Sequence, residues 1–176
     1  MKKIFVLLLV AVITYACGKD NAAVDPATQE GTQAGSVSPF SNDPAQGLIN
    51  GGQFIIGSSS VSSVRTRQGE QMLEVKLYDH SITDPCSPRA RSARRIIKFK
   101  THMKPTTYHL GANTGKGMIY RVSFLSYPNG SVVIKNTEKG RIRISTADTR
   151  LVVGSIYALG GSNYTVNGRF NARFCR

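Results

Sequence analysis

From position 47 to the C-terminus, apolar and polar residues alternate in short runs that are separated by turn residues. The clearest run, QMLEVKLYDH at 71–80, places three aliphatic residues on one face and Glu74, Lys76 and Tyr78 on the other. A period of two is typical of a strand with one buried face. This run therefore predicts a strand at the surface of a core.

The last run, at 164–175, has the same period. One predicted face carries Val166, Gly168, Phe170, Ala172 and Phe174, and the other carries Asn167, Arg169, Asn171 and Arg173. Between two apolar runs stands Pro128-Asn129-Gly130, and an Asn-Gly pair in such a position is a strong signal for a hairpin. Further strands are predicted within 50–66, 95–103, 106–111, 118–127, 131–136, 140–146 and 150–159. A helix of one or two turns is expected only within 87–95.

About eight or nine short strands, with no convincing helix of about ten residues, predict an all-β domain. We expect an antiparallel β-sandwich, with a β-barrel as the alternative. The domain is expected to span 47–176.

The N-terminus has a different pattern. Two lysines precede an unbroken run of ten apolar residues, 4–13, which would extend only about 15 Å as a helix. That is half of a bilayer core, so residues 1–16 are predicted to be a signal peptide. Ala16 and Cys17 follow, and this arrangement resembles the signal of bacterial lipoproteins. The resemblance implies cleavage before Cys17, a diacylglyceryl group on its thiol and acylation of the new N-terminus; an ordinary signal peptide is the alternative.

After Cys17 the chain is small and polar up to Gln46, with almost nothing to bury. Such a segment cannot offset its own ordering entropy, so 17–46 is expected to be a lipidated, disordered tether with a reach of about 30 Å. Gly18 stands where an Asp would favour retention at the inner membrane. We therefore expect the outer membrane as the location, with attachment through the lipid.

The chain has three cysteines, an odd number for an exported protein. If Cys17 carries lipid, Cys86 and Cys175 remain as a pair in an oxidising compartment, and we predict a disulfide between them. Two unpaired thiols are the alternative. Without a CxxC motif or a nearby pair of histidines, these cysteines make a poor zinc site.

The end of the chain resembles a group of uncharacterised small β-rich lipoproteins of Gram-negative bacteria, including predatory species. The shared pattern is a Gly-x-hydrophobic strand followed by Val166, Gly168, Phe170, Ala172 and Cys175. The resemblance implies the fold, the disulfide and the membrane address. It implies no activity, because none is established for the group.

Charge is the strongest functional signal. The predicted domain has 20 Lys and Arg against six Asp and Glu, and no acid lies between Asp84 and Glu138. A field of this kind attracts polyanions within a Debye length of about 8 Å. The candidate anion-binding residues, which lie in 88–104, are Arg89, Arg91, Arg94, Arg95, Lys98, Lys100 and Lys104.

Anionic lipid, lipopolysaccharide or another anionic glycan would fit these residues, whereas a solvated face without a ligand is the alternative. Nucleic acid is disfavoured, because the sequence has no recognition motif or aromatic stacking platform.

Catalytic motifs are absent from the sequence. It has no nucleophile elbow, no phosphate loop and no paired carboxylates, and we expect neither a cofactor nor a metal. Asp79 and His80 are expected to point to opposite faces of a strand. The expected function is therefore a non-enzymatic binding lipoprotein of the envelope. A structural surface lipoprotein with a protein partner, and a hydrolase that uses His102 or His109, are the alternatives.

Overall fold

A computed structural model of the chain describes residues 39–87, 94–111 and 120–175. The predicted signal peptide, Cys17 and most of the predicted tether lie outside these ranges, as does most of the segment where a short helix was expected. The described residues belong to one compact unit. Within them, no helix has the length and apolar character needed to cross a bilayer.

The described residues form an all-β fold, which confirms the predicted class. The strands are β1 (Gln46–Ile49), β2 (Gly52–Ile55), β3 (Ser58–Arg65), β4 (Gln71–Tyr78), β5 (Arg95–Thr101), β6 (Thr106–Leu110), β7 (Val122–Ser126), β8 (Val133–Asn136), β9 (Lys139–Ala147), β10 (Leu151–Leu159) and β11 (Tyr164–Phe174). Each predicted run holds a strand, and the run 50–66 holds two. β1 was not predicted; it crosses the expected boundary between the tether and the domain.

All strands belong to one continuous sheet. One part has the order β6-β9-β10-β11 and the other the order β3-β4-β5-β7-β8, and the neighbours within each part are antiparallel. A short parallel pairing joins the two parts, where Arg173 of β11 lies opposite Ser60 of β3. β1 pairs with both β11 and β2. The sheet curls into a half-barrel, so that its two parts enclose the core.

The inner face carries the apolar positions that the alternation predicts. Leu73, Val75 and Leu77 of β4 are buried there, in the same cluster as Val166, Phe170 and Ala172 of β11. The rings of Phe99 and Phe170 meet edge to face, with centroids 5.4 Å apart, and so join the two parts of the sheet. The opposite side of each strand is called the outer face.

The hairpin predicted at Pro128–Gly130 is present as a tight turn. Asn129 and Gly130 have φ angles of 51° and 78°, the left-handed conformation that these two residue types adopt most readily.

The folded part begins before the predicted boundary at 47. The amide of Ala45 donates to the carbonyl of Arg169 at 2.8 Å, and the amide of Arg169 donates to the carbonyl of Asp43 at 2.7 Å. Ala45 itself is fully buried. The expectation of a tether up to residue 46 is therefore wrong for 39–46. Backbone pairing holds this segment, and a polar sequence gives no sign of it.

Candidate functional site

Four apolar side chains form a row across the outer face, where polar residues are the rule. Strand register places Tyr78 opposite Ile96, Ile96 opposite Leu125, and Leu125 opposite Ile134. The first three are buried and pack with Ile82. Ile134 lies on the edge strand β8 and is 58% exposed. We call these four strand residues, Tyr78, Ile96, Leu125 and Ile134, the apolar row.

Lysines lie next to the apolar row, two residues before Tyr78 on β4 and two residues after Ile96 on β5. Lys76 of β4 is directly opposite Lys98 of β5, and Lys100 follows on the same face of β5. The carboxylate of Glu74 lies 3.3 Å from the Lys76 Nζ and 3.8 Å from the Lys98 Nζ. We call Lys76, Lys98 and Lys100 the lysine cluster. It holds more positive charge than Glu74 can offset.

A cavity of about 360 Å³ lies between the apolar row, the lysine cluster and the disulfide. Cys86 and Cys175 are bonded, as predicted, with their Cα atoms 5.3 Å apart. The bond fixes the loop after β4 to the end of β11, and both cysteines line the cavity. The Tyr78 hydroxyl lies 3.2 Å from the Ser60 Oγ and donates to the Pro85 carbonyl at 3.4 Å. We call this space the outer cavity.

Two of the predicted arginines, Arg94 and Arg95, line a second cavity of about 410 Å³. Arg95 donates from Nε to the Ile49 carbonyl at 3.2 Å and pairs with Asp79 at 3.6 Å, so its guanidinium links strands. Arg94 is exposed. Ser126 also lines this cavity; it is 4% exposed, and its Oγ has no hydrogen-bond partner among the described residues.

The candidate anion-binding residues that the structure describes do not form one patch. Lys98 and Lys100 lie on the outer face of β5, whereas Lys104 lines a third cavity of about 280 Å³. Arg89 and Arg91 lie outside the described residues. Lys76 was not among the candidates, although the alternation in 71–80 places it on the outward face.

Four further arginines were also missed. They lie on the outer face of β9 and β11 and are Arg141, Arg143, Arg169 and Arg173. None of the residues of β9, β10 and β11 is acidic. Two of them contact the N-terminal segment, because Arg143 lies over the Phe40 ring at 5.1 Å and Arg169 donates to Asn42. The positive charge of the domain thus extends over both parts of the outer face.

His102 is the centre of a polar network beside the third cavity. Its Nε2 lies 2.9 Å from the Tyr120 hydroxyl, and its Nδ1 lies 3.3 Å from a carboxylate oxygen of Glu70. Burial, then Tyr108 and then Glu70 raise the pKa of Tyr120, so the phenol stays protonated and can donate to Nε2. In that tautomer the proton on Nδ1 faces the carboxylate of Glu70.

Asp79 and His80 do meet, and the expectation that they point apart is wrong. The His80 Nδ1 lies 2.9 Å from an Asp79 carboxylate oxygen. β4 ends at Tyr78, so strand alternation does not apply to these two residues. Asp79 also pairs with Arg95, which gives it a structural partner. The described residues hold no group of three or more His, Cys, Asp and Glu side chains that could bind a metal ion.

The chain matches no protein-family model, no curated protein and no solved structure. The resemblance of its last strand to small β-rich lipoproteins therefore stays a prediction.

Proposed function

We propose that the protein is a lipid-anchored envelope protein whose β domain binds an anionic envelope component without transforming it. The observation that carries the proposal is the lysine cluster beside the outer cavity. Lys76 and Lys98 are directly opposite each other, and like charges in that arrangement destabilise a strand pair. An anionic ligand would relieve this repulsion, and a cavity beside the lysines gives it room.

The anchor supports the same proposal. A lipid on Cys17 would hold the domain near phosphate groups at the membrane, within reach of the predicted tether. Each well-placed cation near an anionic surface contributes about 1 kcal/mol to binding. The outer membrane is the proposed location.

Binding is a better account than hydrolysis. His102 lies between a hydroxyl and a carboxylate, but the hydroxyl is the Tyr120 phenol, whose pKa is raised by burial, and a raised pKa opposes its use as a nucleophile. Asp79, beside His80, is paired with Arg95. These contacts are those of residues that tie turns and strands together.

Co-sedimentation tests the proposal. The chain from residue 18 onward, which lacks the signal segment and Cys17, is mixed with lipopolysaccharide, anionic vesicles or neutral vesicles at about 50 and 500 mM salt. The unchanged chain is compared with the variant Lys76→Ser, Lys98→Ser, Lys100→Ser. The matched control, Arg65→Ser, Arg67→Ser, Arg150→Ser, loses the same charge at exposed positions away from the outer cavity.

We expect sedimentation with the anionic partners at low salt only, loss of binding in the lysine variant, and retention in the arginine control. Equal loss in the two variants would show that net charge, rather than this site, attracts the anion. No sedimentation of the unchanged chain at low salt would overturn the proposal.

A further inference from the structure

We propose that the ligand of the outer cavity is an anionic lipid, with its acyl chain along the apolar row and its phosphate at Lys76 and Lys98. This inference rests on the proposed function and names the chemical class of the ligand.

The spacing of the two sets of side chains fits an amphiphile. Lys76 lies two positions from Tyr78 on β4, and Lys98 lies two positions from Ile96 on β5. Two positions along a strand correspond to about 7 Å between Cα atoms. The apolar row crosses four neighbouring strands, which is a length of about 14 Å. Tyr78, Ile96 and Leu125 are reached through the outer cavity, and Ile134 is exposed beyond it, so a linear apolar chain with a charged end can follow the row from the cavity to the sheet edge.

The cavity combines apolar side chains with charged ones and has room for part of a lipid. Its volume of about 360 Å³ is at the lower end of the range of about 300 to 1,000 Å³ for such sites. Tyr78, Ile96 and Leu125 line it together with Tyr127, and Lys76 and Lys98 are its charged groups. The disulfide holds one wall in place, so the space exists before the ligand binds. A preformed cavity lowers the entropic cost of binding.

The apolar row ends at the sheet edge. Edge strands are usually blunted by charge or covered, but β8 exposes Val132 beside it and Ile134 within it. A lipid chain that leaves the outer cavity would cover Ile134. A second copy of the chain is a poor occupant, because the formal net charge of +13 makes two copies repel each other.

The absence of tryptophan from the sequence allows a specific probe. Tyr127→Trp places one indole in the lining of the outer cavity. The chain from residue 18 with this change is titrated with dodecyl phosphate below its micelle concentration, with inorganic phosphate and with dodecyl maltoside. We expect a saturable blue shift of the emission with dodecyl phosphate, at a concentration at least about tenfold below that for the maltoside. Inorganic phosphate should cause no shift.

Two surface variants test the path of the chain. Ile134→Ser should weaken the binding of dodecyl phosphate about tenfold, because it removes apolar contact at the open end of the row. Val133→Ser is the matched control: it is on the same strand but on the other face, at 37% exposure, and should bind as before. Calorimetry on the chain without tryptophan, where apolar burial should give a negative heat-capacity change, repeats the measurement without the probe.

Equal affinity for dodecyl phosphate and inorganic phosphate would overturn the inference but leave the proposed function intact. The inference would also be overturned, and the proposed function left intact, if the chain sediments with lipopolysaccharide but neither fluorescence nor calorimetry shows a response to dodecyl phosphate. Equal weakening by Ile134→Ser and Val133→Ser would contradict the placement of the acyl chain. If the chain binds neither lipopolysaccharide nor dodecyl phosphate, both proposals are wrong.

Discussion

Lys76 lies directly opposite Lys98 on the outer face of the sheet, with the carboxylate of Glu74 next to both ammonium groups. A pair of like charges in this position destabilises the sheet, and the carboxylate offsets part of that effect. The protein thus holds an anionic group of its own at the place where we propose that an anion binds.

The first prediction concerns this carboxylate. Glu74→Gln should strengthen binding to lipopolysaccharide, because the lysines lose their counter-charge. The same change should lower the free energy of unfolding by about 0.2 to 1 kcal/mol, measured by urea denaturation. Glu138→Gln is the control, since Glu138 pairs with Lys135 at 3.0 Å and does not line the outer cavity. Equal gains in binding from the two variants would mean that only the net charge matters.

A second prediction compares two buried serines. Ser126 and Ser60 are 4% and 5% exposed, but among the described residues only Ser60 has a hydrogen-bond partner for its hydroxyl, the Tyr78 hydroxyl. Ser126→Ala should leave the free energy of unfolding unchanged or raise it, by up to about 1 kcal/mol, because an unsatisfied hydroxyl is removed. Ser60→Ala should lower it by about 1 kcal/mol. If urea denaturation shows that the two variants lose the same free energy of unfolding, the Ser126 hydroxyl has a hydrogen-bond partner in solution.

The third prediction tests the contact of the N-terminal segment with β11. A Cβ at Gly168 would lie 2.6 Å from the carbonyl oxygens of Asp43 and Pro44, and the residue has a φ of 138°. Gly168→Ala should therefore cost about 1 to 3 kcal/mol of stability and expose 39–45 to proteases. Gly161→Ala is the control, because Gly161 has a φ of 100° but an added Cβ there would have no atom within 4 Å. It therefore measures the cost of backbone strain without the clash. If the two variants lose equal stability and 39–45 stays protected, the contact is unimportant.

The fourth prediction is a pH dependence. Burial raises the pKa of Tyr120 above its ordinary value of 10.0, so the folded state holds this proton more tightly than the unfolded state. The stability that this provides is complete below pH 10.0 and is lost as the pH rises through the folded pKa. The advantage of the unchanged chain over Tyr120→Phe should therefore shrink above pH 10.0 in urea denaturation. An advantage that is constant or grows with pH would contradict this assignment.

Local pattern predicted much of the fold. A period of two identified the inner residues of β4 and β11, and the Asn-Gly pair located the turn before β8. The count of cysteines predicted the bond between Cys86 and Cys175. Each of these signals is contained within a few residues of the chain or in its composition.

What the sequence did not predict depends on pairing between distant strands. Lys76 meets Lys98 only because of the β4–β5 register, which a single sequence does not show. The segment 39–45 is held by backbone hydrogen bonds and by contacts of Phe40 and Asn42 with arginines of distant strands, which a single sequence does not show. Asp79 meets His80 because β4 ends at Tyr78, before both residues, and the ends of strands are poorly marked in a sequence. Lys98 and Lys100 of the lysine cluster were therefore among the predicted candidates, whereas Lys76 was not.

Anion binding at the outer cavity is tested most directly by the amount of protein that sediments with lipopolysaccharide at about 50 mM salt, for the lysine variant beside the arginine control. We expect the control, with Arg65, Arg67 and Arg150 replaced, to sediment like the unchanged chain, whereas the variant without Lys76, Lys98 and Lys100 should stay in solution. If the lysine variant sediments as fully as the control, the outer cavity is not where the anion binds.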